Sequence, residues 1–138
     1  MRAKRQSGQA LVEFSIAVFV FLILLMGIVD FAIAIYKYNG VSQAAREIAR
    51  VTSVHPGTTL GSSPEIAAVV STQKGLIPGL SNPTFSCVDP VTNAAVGTCN
   101  YTVDSVRVTI SAPYTPVTPL LGLIGTWTME GTSSAQIQ

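Results

Sequence analysis

Hydrophobic and polar positions divide this chain near residue 36. From Phe14 to Tyr36 the sequence reads FSIAVFVFLILLMGIVDFAIAIY, with Asp30 as its one charge. About 20 apolar residues at 1.5 Å rise cross a hydrocarbon core of roughly 30 Å. The run therefore predicts a membrane-inserting helix over about 14–36, because the rest of the chain is too short to bury it as a soluble core. Tyr36-Lys37-Tyr38 then supplies the aromatic and cationic mixture that suits a headgroup region. Beyond it, Val41, Ala44, Ala45, Ile48 and Thr52 recur at the spacing of one helix face, while Arg46, Glu47 and Arg50 lie mostly elsewhere. One helix from about Ala10 to Thr52, roughly 60 Å long, is predicted. Asn39-Gly40 is its weakest point, and His55-Pro56-Gly57 ends it.

The period then changes. Ser62-Ser63-Pro64-Glu65 carries a helix-start signature, predicting a short helix over Pro64–Gln73. Thr84–Asp89 reads as a strand, and Asn100–Ala112 as the clearest one, with Val106, Val108 and Ile110 alternating with Arg107, Thr109 and Ser111. Thr126–Gln138 repeats the alternation with Trp127, Met129, Ala135 and Ile137 on one parity, interrupted at Gly131. The fold class expected is α+β: a long N-terminal helix packed on a small antiparallel sheet of about three strands, with one short helix. Between the last two strands, APYTPVTPLLGLIG is broken by three prolines. Its Leu120, Leu121, Leu123 and Ile124 either cover the core or meet a neighbouring subunit or the membrane surface.

Charge sharpens this division. Only 11% of the 138 residues are charged, under half the usual share of a soluble domain. Residues 1–8 hold Arg2, Lys4 and Arg5 with no acid, residues 9–36 hold only Glu13 and Asp30, and residues 37–138 are balanced. The +1 total is a sum of three unlike parts. It excludes a basic nucleic-acid binder, and the apolar content excludes a disordered chain. Lys37, Arg46 and Arg50 follow the span, so only the density of the basic cluster and its place at the extreme N-terminus favour that end being inside. Cys87 and Cys99 lie in a segment rich in Ser, Thr, Asn, Pro and Gly, with no zinc-site partners nearby. A disulfide in an exported domain is their simplest use, stabilising by roughly 3 kcal/mol on the chain-entropy model. Both clues put the C-terminal part outside the cytoplasm.

Glu13 separates this N-terminus from an ordinary secretion signal. A carboxylate at the top of a lipid-embedded helix costs several kcal/mol unless it is paired. A simple secretion signal has no use for it. The stretch Gly8-Gln9-Ala10-Leu11-Val12-Glu13-Phe14, a basic leader ending in Gly, then four residues, a Glu and an aromatic, resembles the prepilin processing site of the tight-adherence (Tad) branch of type IV pilins. Gly27-Ile28-Val29-Asp30-Phe31, then Tyr36, Asn39 and Gln43-Ala44-Ala45-Arg46-Glu47-Ile48-Ala49-Arg50, extend the likeness to TadE-like pseudopilins. A weaker echo lies in Val106–Ile110 and Tyr114-Thr115-Pro116-Val117-Thr118-Pro119-Leu120. One departure is the absence of any Pro before Pro56, which predicts a helix without a kink near its start.

The resemblance implies a type IV pilin-like architecture in three parts: a leader over 1–8, a helix over 9–53 and a head over 54–138 outside the cytoplasm. It implies cleavage between Gly8 and Gln9 by a prepilin peptidase on the cytoplasmic side, and an assembly role for Glu13 and Phe14. The amine freed on Gln9, on the same or a neighbouring protomer, would neutralise the Glu13 carboxylate, unless the N-terminal Gln cyclises; the alternative is that Glu13 simply snorkels to the interface. Asp30 has two readings: packing against another helix within the assembly, or lying near the outer headgroups. The implied partners are the peptidase, related pilins and pseudopilins in a filament, the inner-membrane assembly platform and membrane lipid.

One His, two bridged Cys and scattered carboxylates leave no nucleophile–base set, phosphate loop or metal spacing, so no enzyme, cofactor or metal is expected. The function expected is a minor pilin or pseudopilin of a bacterial Tad pilus or secretion system, held in the inner membrane and then in the pilus. The alternatives are a main filament subunit, or a single-pass anchored domain that never polymerises.

Overall fold

The computed structural model describes residues 3–100, 104–118, 122, 123 and 125–138, with side chains from residue 8 onward. Helix α1 covers Ala3–Val54, 52 residues and so about 78 Å. Its hydrogen-bonded ladder continues through Asn39 and Gly40, where the side chain of Ile77 would stand 3.5 Å from an added Cβ. In the apolar half the Ser15 hydroxyl donates to the Leu11 carbonyl at 2.7 Å, which satisfies a polar group that lipid could not. The helix stops because Pro56 disfavours helical geometry at His55, and the chain turns at Gly57 with φ +79°.

α2 covers Pro64–Leu76, three residues longer than the sequence predicts. Ser63 caps it by accepting a hydrogen bond from the Ile66 amide, Pro64 opens the first turn, and Glu65 and Lys74 complement its two ends. Ile66 is the residue it buries against the core.

Four strands follow: β1 (Thr84–Val88), β2 (Ala95–Val96), β3 (Ser105–Tyr114) and β4 (Trp127–Gln136). They form one antiparallel sheet in the order β2-β1-β3-β4. The architecture is α+β as expected, with a fourth strand that two residues are too few to announce. β3 begins at Ser105 rather than Asn100, and the intervening residues 101–103 lie outside the described ones. The disulfide therefore ties β1 to the segment leaving β2 rather than to the next long strand. Cys87 and Cys99 are bonded, with Cα atoms 5.5 Å apart.

The core lies between the outer half of α1 and the inner face of the sheet. Val41, Ala44, Ala45, Ile48 and Thr52, the periodic face in sequence, are all fully buried. They meet Val106, Val108, Ile110 and Ala112 of β3. Sequence parity also holds on β4 beyond Trp127, which is exposed: the even-numbered residues 128–136 are exposed, while Met129, Gly131, Ser133 and Ala135 are at least partly covered. The interruption at Gly131 has a packing reason. A Cβ there would lie 2.8 Å from the Val41 carbonyl oxygen, so the strand can cross the helix this closely only as glycine.

Candidate functional site: the bare helix and its boundary

α1 has two unlike halves. From Gly8 to Val29 every described side chain is exposed except the half-buried Gly27. Phe14, Phe19, Phe21, Leu22 and Leu24 each leave more than half their surface open. From Asp30 onward the head covers one side. The expected span of 14–36 thus consists of a bare stretch to Val29 and a stretch partly backed by protein. The described part of α1 from Gly8 is long and apolar enough to cross a membrane.

Gly8, Gln9, Glu13 and Phe14 all lie on the bare half. Nothing stands within 4 Å of a Cβ built on Gly8, so no packing contact requires glycine there. A helical glycine costs up to about 1 kcal/mol relative to alanine, so this position is not explained by stability. Gln9 and Glu13 are one turn apart on the same face, about 6 Å along the axis. Glu13 is exposed among apolar neighbours. The one ion pair among the described residues is Glu47–Arg50, 2.9 Å apart on the outer half of the stem. It lowers the Glu47 pKa and raises that of Arg50, chiefly through the hydrogen bond between them.

Asp30 is only 2% exposed, and its partners among the described residues are Tyr114, Val117 and Thr118. Its side chain accepts from the Val117 amide at 2.8 Å, from the Thr118 amide at 3.0 Å and from the Thr118 hydroxyl. The Tyr114 hydroxyl donates to the Asp30 backbone carbonyl at 2.8 Å and reaches the carboxylate at 3.4 Å. Hydrogen bonds to a charged group are stronger than those between neutral groups, and these offset the desolvation of the carboxylate. Seven residues on, the Lys37 ammonium donates to the Pro113 carbonyl at 2.6 Å. Burial first, and then the neighbouring Asp30 charge, push the Tyr114 phenol above its usual range.

From sequence alone Asp30 reads as packing against another helix or lying near the outer headgroups, and these intrachain donors are not apparent. The available signal was the resemblance itself. Its weaker echo, Tyr114 to Thr118, contains each donor that Asp30 uses. Of the expected subunit or membrane contacts, Leu120, Leu121 and Ile124 lie outside the described residues, while Leu123 is 85% exposed. Among the described residues no group of three or more His, Cys, Asp and Glu is placed to hold a metal ion.

No curated protein and no solved structure matches this chain. A protein-family match begins at Gly8, covers the bare helix and most of the stem, and ends four residues before α1 does. Residues 8–50 match the family described as TadE-like protein.

Proposed function

We propose that this chain is a minor pilin or pseudopilin of a bacterial tight-adherence pilus or secretion system. It is held in the inner membrane by α1, trimmed after Gly8, and assembled into or beneath a filament with related pilins. The observation that carries this reading is Glu13. Among the described residues it is a carboxylate with no ion-pair partner on a bare apolar helix, one turn above a Gly8–Gln9 junction that packing does not explain. Cleavage there frees an amine one turn away on the same face, and the pairing fixes axial register between protomers. Membrane lipid holds the bare half until the filament takes it over, and the inner-membrane platform and the prepilin peptidase act on it there.

In this reading residues 1–8 are the leader, 9–53 the helix and 54–138 the head, outside the cytoplasm. The lipid-facing stretch is 9–29, about 32 Å of helix against a hydrocarbon core of roughly 30 Å. Residues 30–37 then cross the headgroup layer, with Tyr36 and Lys37 at its outer edge. A head of this size favours a minor or priming role over that of main filament subunit. The test separates processing from assembly. Glu13→Ala is expected to be cleaved after Gly8 yet to be absent from sheared filaments. Normal incorporation would overturn the role given to Glu13.

A further inference from the structure

We propose that the head makes a second membrane contact of its own. The described residues between β3 and β4, 115–118, Gly122, Leu123, Gly125 and Thr126, are uncharged, are latched to α1 through Asp30, and rest in the headgroup–acyl boundary on the head's side of the bilayer. This rests on the membrane-spanning role proposed above for the bare helix. Three observations carry it.

The first is depth. The Val117 and Thr118 amides are bonded to Asp30 at the end of the bare stretch. The loop also continues past that level: a small cleft of about 170 Å³ lies between Leu25, Met26 and Val29 of α1 and Val117 and Thr118. A segment fixed beside residues 25–29 sits where the lipid begins if those residues are in lipid.

The second is chemistry. No charged residue occurs between Arg107 and Glu130. Within this stretch Val117 is 70% exposed, Leu123 85% and Trp127 45%. Pro113 and Pro116 have no amide hydrogen to leave unsatisfied near lipid. Trp127 is the register partner of Tyr114, with ring centroids 6.5 Å apart, so both aromatics stand at the Asp30 level. Amphipathic aromatics at that level are what membrane interfaces favour.

The third is continuity. The exposed apolar surface of the loop adjoins that of the bare helix, so one lipid surface covers both.

Trp127 is the chain's one tryptophan and reports its own depth. The full chain is reconstituted in phosphatidylcholine vesicles, dilute enough to keep protomers apart, and its tryptophan fluorescence is followed. Quenching by lipids brominated near the headgroup end of the acyl chains is expected, together with shielding from aqueous iodide. Leu123→Asp, at an exposed position, is expected to lose the lipid quenching while remaining in the vesicles after an alkaline carbonate wash. Iodide access without lipid quenching, in protein that resists carbonate, overturns the loop contact and leaves the membrane helix standing. Shielding that grows only with protein density assigns the loop to a second copy and also overturns it. Extraction by carbonate overturns the membrane-spanning role and this inference with it.

Discussion

Gly131 lies where β4 passes closest to the stem, and its missing side chain lets the two backbones meet. An added Cβ would sit 2.8 Å from the Val41 carbonyl oxygen and 3.0 Å from a Val41 methyl, neither of which can retreat without moving the helix. Gly131→Ala is expected to destabilise the head by about 1–3 kcal/mol through overpacking. Denaturant unfolding of the full chain in detergent micelles, followed by near-ultraviolet circular dichroism, measures it; unchanged stability would mean that helix and sheet are not in this contact. Gly8 is the opposite case, a glycine with open space around it. The sequence makes both visible as glycines in regular elements and cannot tell them apart. Asp30 was legible in the same partial way. A lone carboxylate in an apolar run must find donors, but its donors lie 84 to 88 residues away, and only folding brings Tyr114 and Thr118 to it.

Among elements, those with local causes were legible. The stem face reads directly from Val41 to Thr52 because helical period and burial coincide, and α2 reads from Ser63, Pro64 and Glu65 because caps are local chemistry. β3 and β4 show their alternation because one face is buried and the other wet. β2 was not legible. It exists through its register with β1, Cys87 opposite Val96 and Val88 opposite Ala95, and through the turn between them. In that turn the Asp89 carboxylate accepts from the Val91 and Thr92 amides at 2.8 and 2.7 Å, and Asn93 takes φ 57°. Those amide bonds hold the Asp89 pKa below its usual value. A depressed carboxylate contributes stability that is present above its unfolded pKa, about 3.9, and lost as pH falls through the folded value. The Val91 and Thr92 amides are therefore expected to lose hydrogen-exchange protection progressively below about pH 4. In Asp89→Asn, whose side chain still accepts without titrating, that pH step is expected to vanish. A step that survives in the variant would assign it to another group.

At the scale of the whole molecule, the head is built to the length of the exposed half of the stem. β4 and the residues after it run alongside α1 until the Gln138 amide meets the Ser53 carbonyl at 3.0 Å. From Asp30 to Ser53 the helix advances about 35 Å, and from Trp127 to Gln138 an extended chain advances about 36 Å. The match ends the head at Asp30 and leaves one bilayer thickness of helix uncovered. Composition foreshadowed this division, since the low charged fraction belongs to the bare helix and the uncharged loop. Where the head ends along the helix was not legible, because it depends on the long-range Asp30 contacts. Processing would also invert the charge. Removing Arg2, Lys4 and Arg5 with the leader turns a +1 chain into one of −2, and both units are Glu13 and Asp30 of the helix. Mass spectrometry of the N-terminus of the protein isolated from its own host is predicted to find a chain beginning at Gln9, with its terminus free or cyclised. A chain that retains Met1, or one that begins near Ile35 after secretion-type cleavage, would contradict cleavage after Gly8.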